Sequence, residues 1–366
     1  MKVCIYGAGA IGGWIGVHLA RTGHEVSVVA RGATLAALQK NGLQCIQTQA
    51  QFETNETHLK AHVKVSANPA DLGPQDLVIV SVKAPAMADV AKGIAPLLAP
   101  HTMVLTAMNG VPWWFFEGFG ESLQSTRLNT IDPEGLIGQA IPAHHVVGCV
   151  VHSSCSLDAP GVVRHHFGHG LIVGEPATQN GPASERVQQL VSALQAAGFN
   201  ASASTQIQKD VWYKLWGNMT VNPISAFTGA TTDLILQDDL VRDFVSKIML
   251  EAKAIGEKIG IPIAQMPEDR HAVTRKLGAF KTSMLQDVEA GKAVELDALV
   301  SVVRELGHLT KVSTPYTDAL LGLFDQLLRG VAGQFAAAIG TSSRATGTSS
   351  AALGANANAS ANFALA

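Results

Sequence analysis

Apolar and polar positions divide the chain into two stretches of different character. In the first, short apolar runs recur between segments of helical spacing. Residues 2–6 (Lys-Val-Cys-Ile-Tyr) and 25–29 (Glu-Val-Ser-Val-Val) read as strands, with a helix over 11–21 and a Thr22-Gly23-His24 turn between them. Residues 77–82 and 103–107 are continuous apolar runs, as parallel strands covered on both faces require. Residues 146–151 and 171–174 read as two further strands. This alternation predicts an α/β fold: an N-terminal Rossmann-type, doubly wound parallel sheet. From about residue 205 the spacing turns helical, which predicts an all-helical C-terminal domain. The expected boundaries are 1–204, 205–333 and a tail at 334–366, rich in Ala, Ser, Thr, Asn and Gly and expected to be disordered.

Composition narrows the possibilities. A chain of 366 residues can hold two cores. A formal net charge of −3 and the lack of any Lys/Arg block argue against a nucleic-acid partner. No apolar run is long enough to span a bilayer and no cleavage site follows the first residues, so the expectation is a cytoplasmic protein with no membrane association. Cys4, Cys45, Cys149 and Cys155 are scattered, with no C-x-x-C pair, so idle thiols and no metal are expected.

Candidate chemistry begins at the turn after the first strand. Gly7-Ala8-Gly9-Ala10-Ile11-Gly12 leaves a strand and opens a helix, the context that a dinucleotide-binding turn needs. Gly7 permits the tight turn, Gly9 lets a pyrophosphate approach the backbone, and Gly12 lets helix and strand pack closely. Arg31 stands just past the second strand, where an NAD enzyme usually carries an acid for the ribose 2′-hydroxyl. A guanidinium there suits a 2′-phosphate, favouring NADP (NADPH) over NAD; the plain alternative is a surface arginine. Lys83 and Asn109-Gly110 follow the apolar runs at what should be the ligand-binding sheet edge, although a solvated lysine and a simple turn would read the same way.

Asp210, Lys214, Asn218 and Asn222 succeed one another at i, i+4, forming one polar helical stripe flanked by Trp212, Leu215, Trp216 and Met219. Pro223 should bend or end this helix near Asn222. A lysine among tryptophans is desolvated and thereby suited to proton donation; a plain Asp210–Lys214 pair is the alternative. Ser283 and Asp287 are again i, i+4, Gly291 should break their helix, and Glu295 should open the next, where a carboxylate can also serve only the helix dipole.

In combination these motifs resemble the ketopantoate reductase (2-dehydropantoate 2-reductase) family over about residues 1–330. The segments that carry the likeness are the 7–12 glycine turn, Arg31, Val82-Lys83-Ala84, Asn109-Gly110, Lys214-Leu with Asn218 and Asn222-Pro223, Ser283-Met-Leu-Gln-Asp287, and Glu295-Leu-Asp297. The resemblance implies that the glycine turn and Arg31 bind NADPH, with Lys83 and Asn109 helping to hold it and organise the site. It implies Lys214 as general acid, Glu295 as a second catalytic residue, and Asn218, Asn222 and Ser283 as binders of a small 2-oxo acid. Members of the wider fold group occur as monomers and dimers, and a homodimer is the expectation carried forward. The chain departs from the family pattern at Ala86, often Gln, and at Ala298-Leu-Val-Ser301, where many members carry Tyr-x-Asn-Gly, so Val300 loses a polar group. An enlarged aromatic segment, Val111-Pro-Trp113-Trp114-Phe115-Phe116, follows Asn109-Gly110. These departures leave two alternatives, a reductase of another 2-oxo acid or ketone and a non-catalytic NADP-binding sensor; keeping both Lys214 and Glu295 argues against the sensor.

Overall fold

The computed structural model describes residues 1–48, 56–179, 181–332, 335–339, 344–346, 349–353, 358–360 and 363–365. Strand β1 (Lys2–Tyr6) leads through the glycine turn into helix α1 (Ala10–Arg21), followed by β2 (Glu25–Val29) and α2 (Gly32–Asn41). Next come β3 (Leu43–Thr48), β4 (Glu56–Ala61), β5 (Lys64–Ser66), β6 (Leu77–Val80), α3 (Met87–Gly93), β7 (Met103–Thr106) and α4 (Leu136–Ala140). Then β8 (Val146–Ala159), β9 (Val162–Gly174), α5 (Glu185–Ala196) and β10 (Asn200–Ala203) complete one sheet, ordered β4-β3-β9-β8-β7-β6-β1-β2-β5 with β10 on β9. The middle of this sheet, from β8 through β7, β6 and β1 to β2 and β5, is parallel throughout, as the apolar runs predict.

The sheet is more mixed than the sequence pattern suggests. The runs at 146–151 and 171–174 are the ends of two long strands, 14 and 13 residues, that pair antiparallel as a hairpin. Their middle is polar and rich in histidine, and an irregular register breaks its alternation, so no strand period is visible there. β3 and β4 likewise pair antiparallel. The core sets Val3, Ile5, Val28, Leu77 and Leu105 of the sheet with Trp14, Ile15 and Leu19 of α1.

Two compact units make up the chain: Met1–Leu215 with Ile259–Ile261 and Asp297–Val302, and Trp216–Lys258 with Pro262–Leu296 and Val303–Ala366. The division between these units falls inside α6 (Ile207–Thr228). α6 also runs through Pro223 without ending at Asn222. Proline removes one backbone donor, and the residues around it, 221–226, are all buried, so packing sustains the ladder on either side.

The second unit adds α7 (Thr232–Gln237), α8 (Asp239–Lys258), α9 (Pro267–Arg275), α10 (Ser283–Glu289), α11 (Val302–Thr310) and α12 (Pro315–Ala332), α11 having its first residue in the other unit. Buried Glu251 of α8 accepts from Tyr316 N at 2.8 Å, Thr317 N at 2.9 Å and Thr317 Oγ1 at 2.7 Å, satisfying donors at the start of α12. The described stretches of the tail are short parallel strands: β11 (Phe335–Ile339), β12 (Arg344–Thr346), β13 (Ser349–Leu353), β14 (Asn358–Ser360) and β15 (Phe363–Leu365). No helix among the described residues is long and apolar enough to cross a membrane.

Candidate active site

The glycine turn sets its three glycines in different surroundings. Gly7 adopts φ +103°, and a Cβ there would lie 2.6 Å from Val82 Cγ1. At Gly12 a Cβ would collide with Gly7 O and Ser81 Oγ, so only glycine lets α1 seat on β1. Ser81 Oγ donates to Gly7 O at 2.8 Å and ties the turn to the end of β6. Gly9 is different: it is the N-cap of α1, and a Cβ there would meet open space. No side chain caps α1 and its first turn, beginning at Ala10 and Ile11, carries no acid. Uncapped N–H groups beside open space fit the pyrophosphate of a dinucleotide. Ala8, within the turn, is buried.

The loops after the neighbouring parallel strands carry the other expected cofactor residues. Arg31, the N-cap of α2, is exposed, and both its terminal nitrogens donate to Asp89 Oδ2, at 3.5 and 3.4 Å. Lys83 is half-buried before a single 3-10 turn at Ala84–Ala86. Asn109 follows β7, and its loop is fixed from the far end of the chain: Val111 N donates to Ala298 O at 2.9 Å, and a Cβ on Gly110, at φ +84°, would collide with Ala298 O and lie 2.7 Å from Ala298 Cβ. Ala298 belongs to a single π-helical turn, Asp297–Ser301, in the same unit. Such turns insert one extra residue into a helix and recur at functional sites.

Lys214 and Asn109 are brought together across 105 residues of sequence. The half-buried Lys214 Nζ donates to Asn109 Oδ1 at 2.8 Å and to Val151 O, on β8, at 2.6 Å. Asp210 turns elsewhere: its carboxylate accepts from Ser204 Oγ at 2.5 Å, and burial raises its pKa above the usual carboxylate range. Trp212 beside Lys214 is buried, its ring 6.2 Å from that of Phe115. Three members of the aromatic segment, Trp114, Phe115 and Phe116, are buried; Trp114 Nε1 donates to Thr106 Oγ1 at 3.2 Å, and Phe116 stacks on Phe119. They pack the first unit, and Trp113 alone of the four stays half-buried.

In the second unit, Asn218 is half-buried and Asn222 buried, one and two turns beyond Lys214 on α6. Thr282 caps α10, leaving Ser283 exposed at its first position. α10 ends at Glu289, with Gly291 at φ +63°. Glu295 is buried and immediately precedes the helical stretch that starts at Leu296 and continues through the π-helical turn into α11. Among the described residues, no group of three His, Cys, Asp or Glu is placed to hold a metal ion, and all four cysteines are free thiols.

The sequence pattern passes over Val151, Ser81, Asp89 and Ala298. Val151 and Ala298 act through backbone carbonyls, which no residue type announces. Ser81 and Asp89 sit among recognised motifs without a spacing of their own.

The family model described as "Ketopantoate reductase PanE/ApbA" matches residues 3–112, and that described as "Ketopantoate reductase PanE/ApbA C terminal" matches residues 206–328. A 2-dehydropantoate 2-reductase of Mesorhizobium japonicum is 44% identical over 328 residues, spanning 89% of this chain and 98% of the relative. A solved structure of a candidate ketopantoate reductase from Ralstonia solanacearum superimposes with a TM-score of 0.82 at 51% identity, covering 89% of this chain and 97% of that one. D-mandelate dehydrogenase, in its ternary structure with NADH and anilino(oxo)acetate, shares the fold with a TM-score of 0.72 at 21% identity, over 89% of this chain and 98% of that one.

Proposed function

Because the chain belongs to the ketopantoate reductase family, we propose that it is an NADPH-dependent reductase of 2-dehydropantoate, yielding pantoate on the route to pantothenate and coenzyme A. The observation that carries this reading is Lys214 Nζ, oriented by Asn109 Oδ1 and Val151 O in the unit that bears the glycine turn. The turn at 7–12 and the open N-terminus of α1 would hold the pyrophosphate, Arg31 the 2′-phosphate, and Lys83 and Asn109 would help fix the cofactor. When bound, NADPH supplies the hydride that reduces a carbonyl carbon. Lys214 stabilises the charge growing on the carbonyl oxygen and gives it a proton from Nζ; the amine left behind regains a proton from water. Glu295 is the second catalytic residue in this reading, and Asn218, Asn222 and Ser283 orient the hydroxyl and carboxylate groups of the substrate.

The test is NADPH oxidation with 2-dehydropantoate for the native protein and Lys214→Ala. Turnover should fall about 10²- to 10⁴-fold in the variant while NADPH still binds; unchanged turnover would remove Lys214 from the chemistry. One observation favours a different 2-oxo acid as substrate. Val300, where the family pattern carries a polar residue, is fully buried and apolar. Comparing kcat/KM across 2-oxo acids decides between the two substrates. NADPH binding without turnover of any of them would make the protein a sensor.

A further inference from the structure

Strands β6, β1 and β2 lie side by side and parallel, so their C-terminal ends share one edge of the sheet. Three residues stand there: Tyr6 at the end of β1, Arg31 after β2, and Asp89 in the first turn of α3, which follows β6. A Cβ on Gly93 would lie 2.7 Å from Tyr6 Oη, and Asp89, one helical turn earlier on α3, shares that face. Burial pushes the Tyr6 phenol's pKa up, Arg31 draws it back, and Cys4 and then Asp89 add to the rise.

We propose that Asp89 sets how strongly the protein prefers a 2′-phosphorylated nicotinamide cofactor, by competing with the 2′-phosphate for the Arg31 guanidinium. The inference rests on the assignment of Arg31 made above. The carboxylate lies within reach of both terminal nitrogens, but loosely, at 3.4–3.5 Å, with the two side chains 72% and 56% exposed. An ion pair so exposed is weak and yields to a phosphate, which can take two short hydrogen bonds from the same fork. Releasing it still costs something, and the displaced carboxylate stays near the incoming phosphate as a like charge. A cofactor with a 2′-hydroxyl meets neither penalty. Asp89 therefore narrows the gap between NADPH and NADH that Arg31 opens.

The experiment titrates NADPH and NADH onto the full chain, followed by nicotinamide fluorescence, for the native protein, Asp89→Asn and Arg31→Ala. In Asp89→Asn the NADPH-over-NADH affinity ratio should rise about two- to fivefold. In Arg31→Ala the ratio should fall by about tenfold or more. A ratio unchanged or lowered in Asp89→Asn, with the fall in Arg31→Ala intact, overturns the role of Asp89 alone. A ratio unmoved in Arg31→Ala overturns the assignment of Arg31 and the inference with it. Asp89 is exposed, so Asp89→Asn should unfold with the same thermal midpoint as the native protein, which separates a cofactor effect from a folding one.

Discussion

Helices α1 and α12, each in its own unit, begin in opposite ways. α12 opens with Pro315, which has no N–H to satisfy, and its next donors reach Glu251 of α8, so that a buried carboxylate offsets the positive end of the helix. α1 opens with Gly9, has no capping side chain or early acid, and faces open space at that glycine. The difference teaches how a fold reserves a site. A helix N-terminus is a ready anion receptor, and this chain fills one with its own side chain while leaving the other uncapped in the glycine turn assigned to the cofactor.

Four measurements would break or sharpen that contrast. The largest effect belongs to Glu251→Ala, which strips the acceptor from two backbone donors and a hydroxyl. It should destabilise the protein by about 4 kcal/mol in urea titration while NADPH affinity is unchanged. Equal stability would mean that water replaces the carboxylate. Gly9→Asp does the reverse, giving α1 what α12 has. The backbone there is extended and has room for a side chain, so stability should hold or rise by a few tenths of a kcal/mol. NADPH affinity should fall about a hundredfold as a carboxylate meets the pyrophosphate, and retained affinity would move the cofactor off this turn. Gly12→Ala forces a methyl against Gly7 O and Ser81 Oγ; it should cost about 2 kcal/mol of stability and weaken NADPH as well, unlike either change above.

Acidification gives the smallest effect. Burial lowers the pKa of His18, His24, His165 and His166 in the first unit and of His271 in the second. In the unfolded chain these histidines titrate near their ordinary value, about 6.5. Below it the unfolded chain binds more protons than the folded one, so their contribution is present above that value and lost as pH falls. The urea midpoint should drop on lowering pH from neutrality, and His18→Gln should blunt the drop; a midpoint that rises instead would reverse the sign.

Much of the first unit is legible because one-residue chemistry and local spacing carry it. Gly7, Gly9 and Gly12 announce a turn, and apolar runs covered on both faces announce the central parallel strands. The i, i+4 step from Lys214 to Asn218 announces a polar helical stripe. What stayed hidden depends on partners distant in sequence. Asp210 has the spacing of a salt-bridge partner for Lys214, yet it turns to Ser204, while Lys214 turns to a carbonyl and an amide on other elements. Pro223 reads as a helix end because local propensity cannot weigh the burial around it. The β8–β9 hairpin has a strand pattern in sequence only at its apolar ends. The aromatic segment after Asn109 shows no periodicity that tells where its rings go; three of them fill the core around Trp212 and Phe119.

The Glu251 cap also bears on the order in which the protein is made. The carboxylate leaves the ribosome 65 residues ahead of the first donor that it receives, Tyr316 N. Until that donor arrives, burying the α8 carboxylate costs the hydrogen bonds that it accepts in the finished protein, which disfavours early closure of the second unit. Translation stalled before Thr317 would leave a nascent chain with this helix unsealed, a ready target for chaperones and proteases.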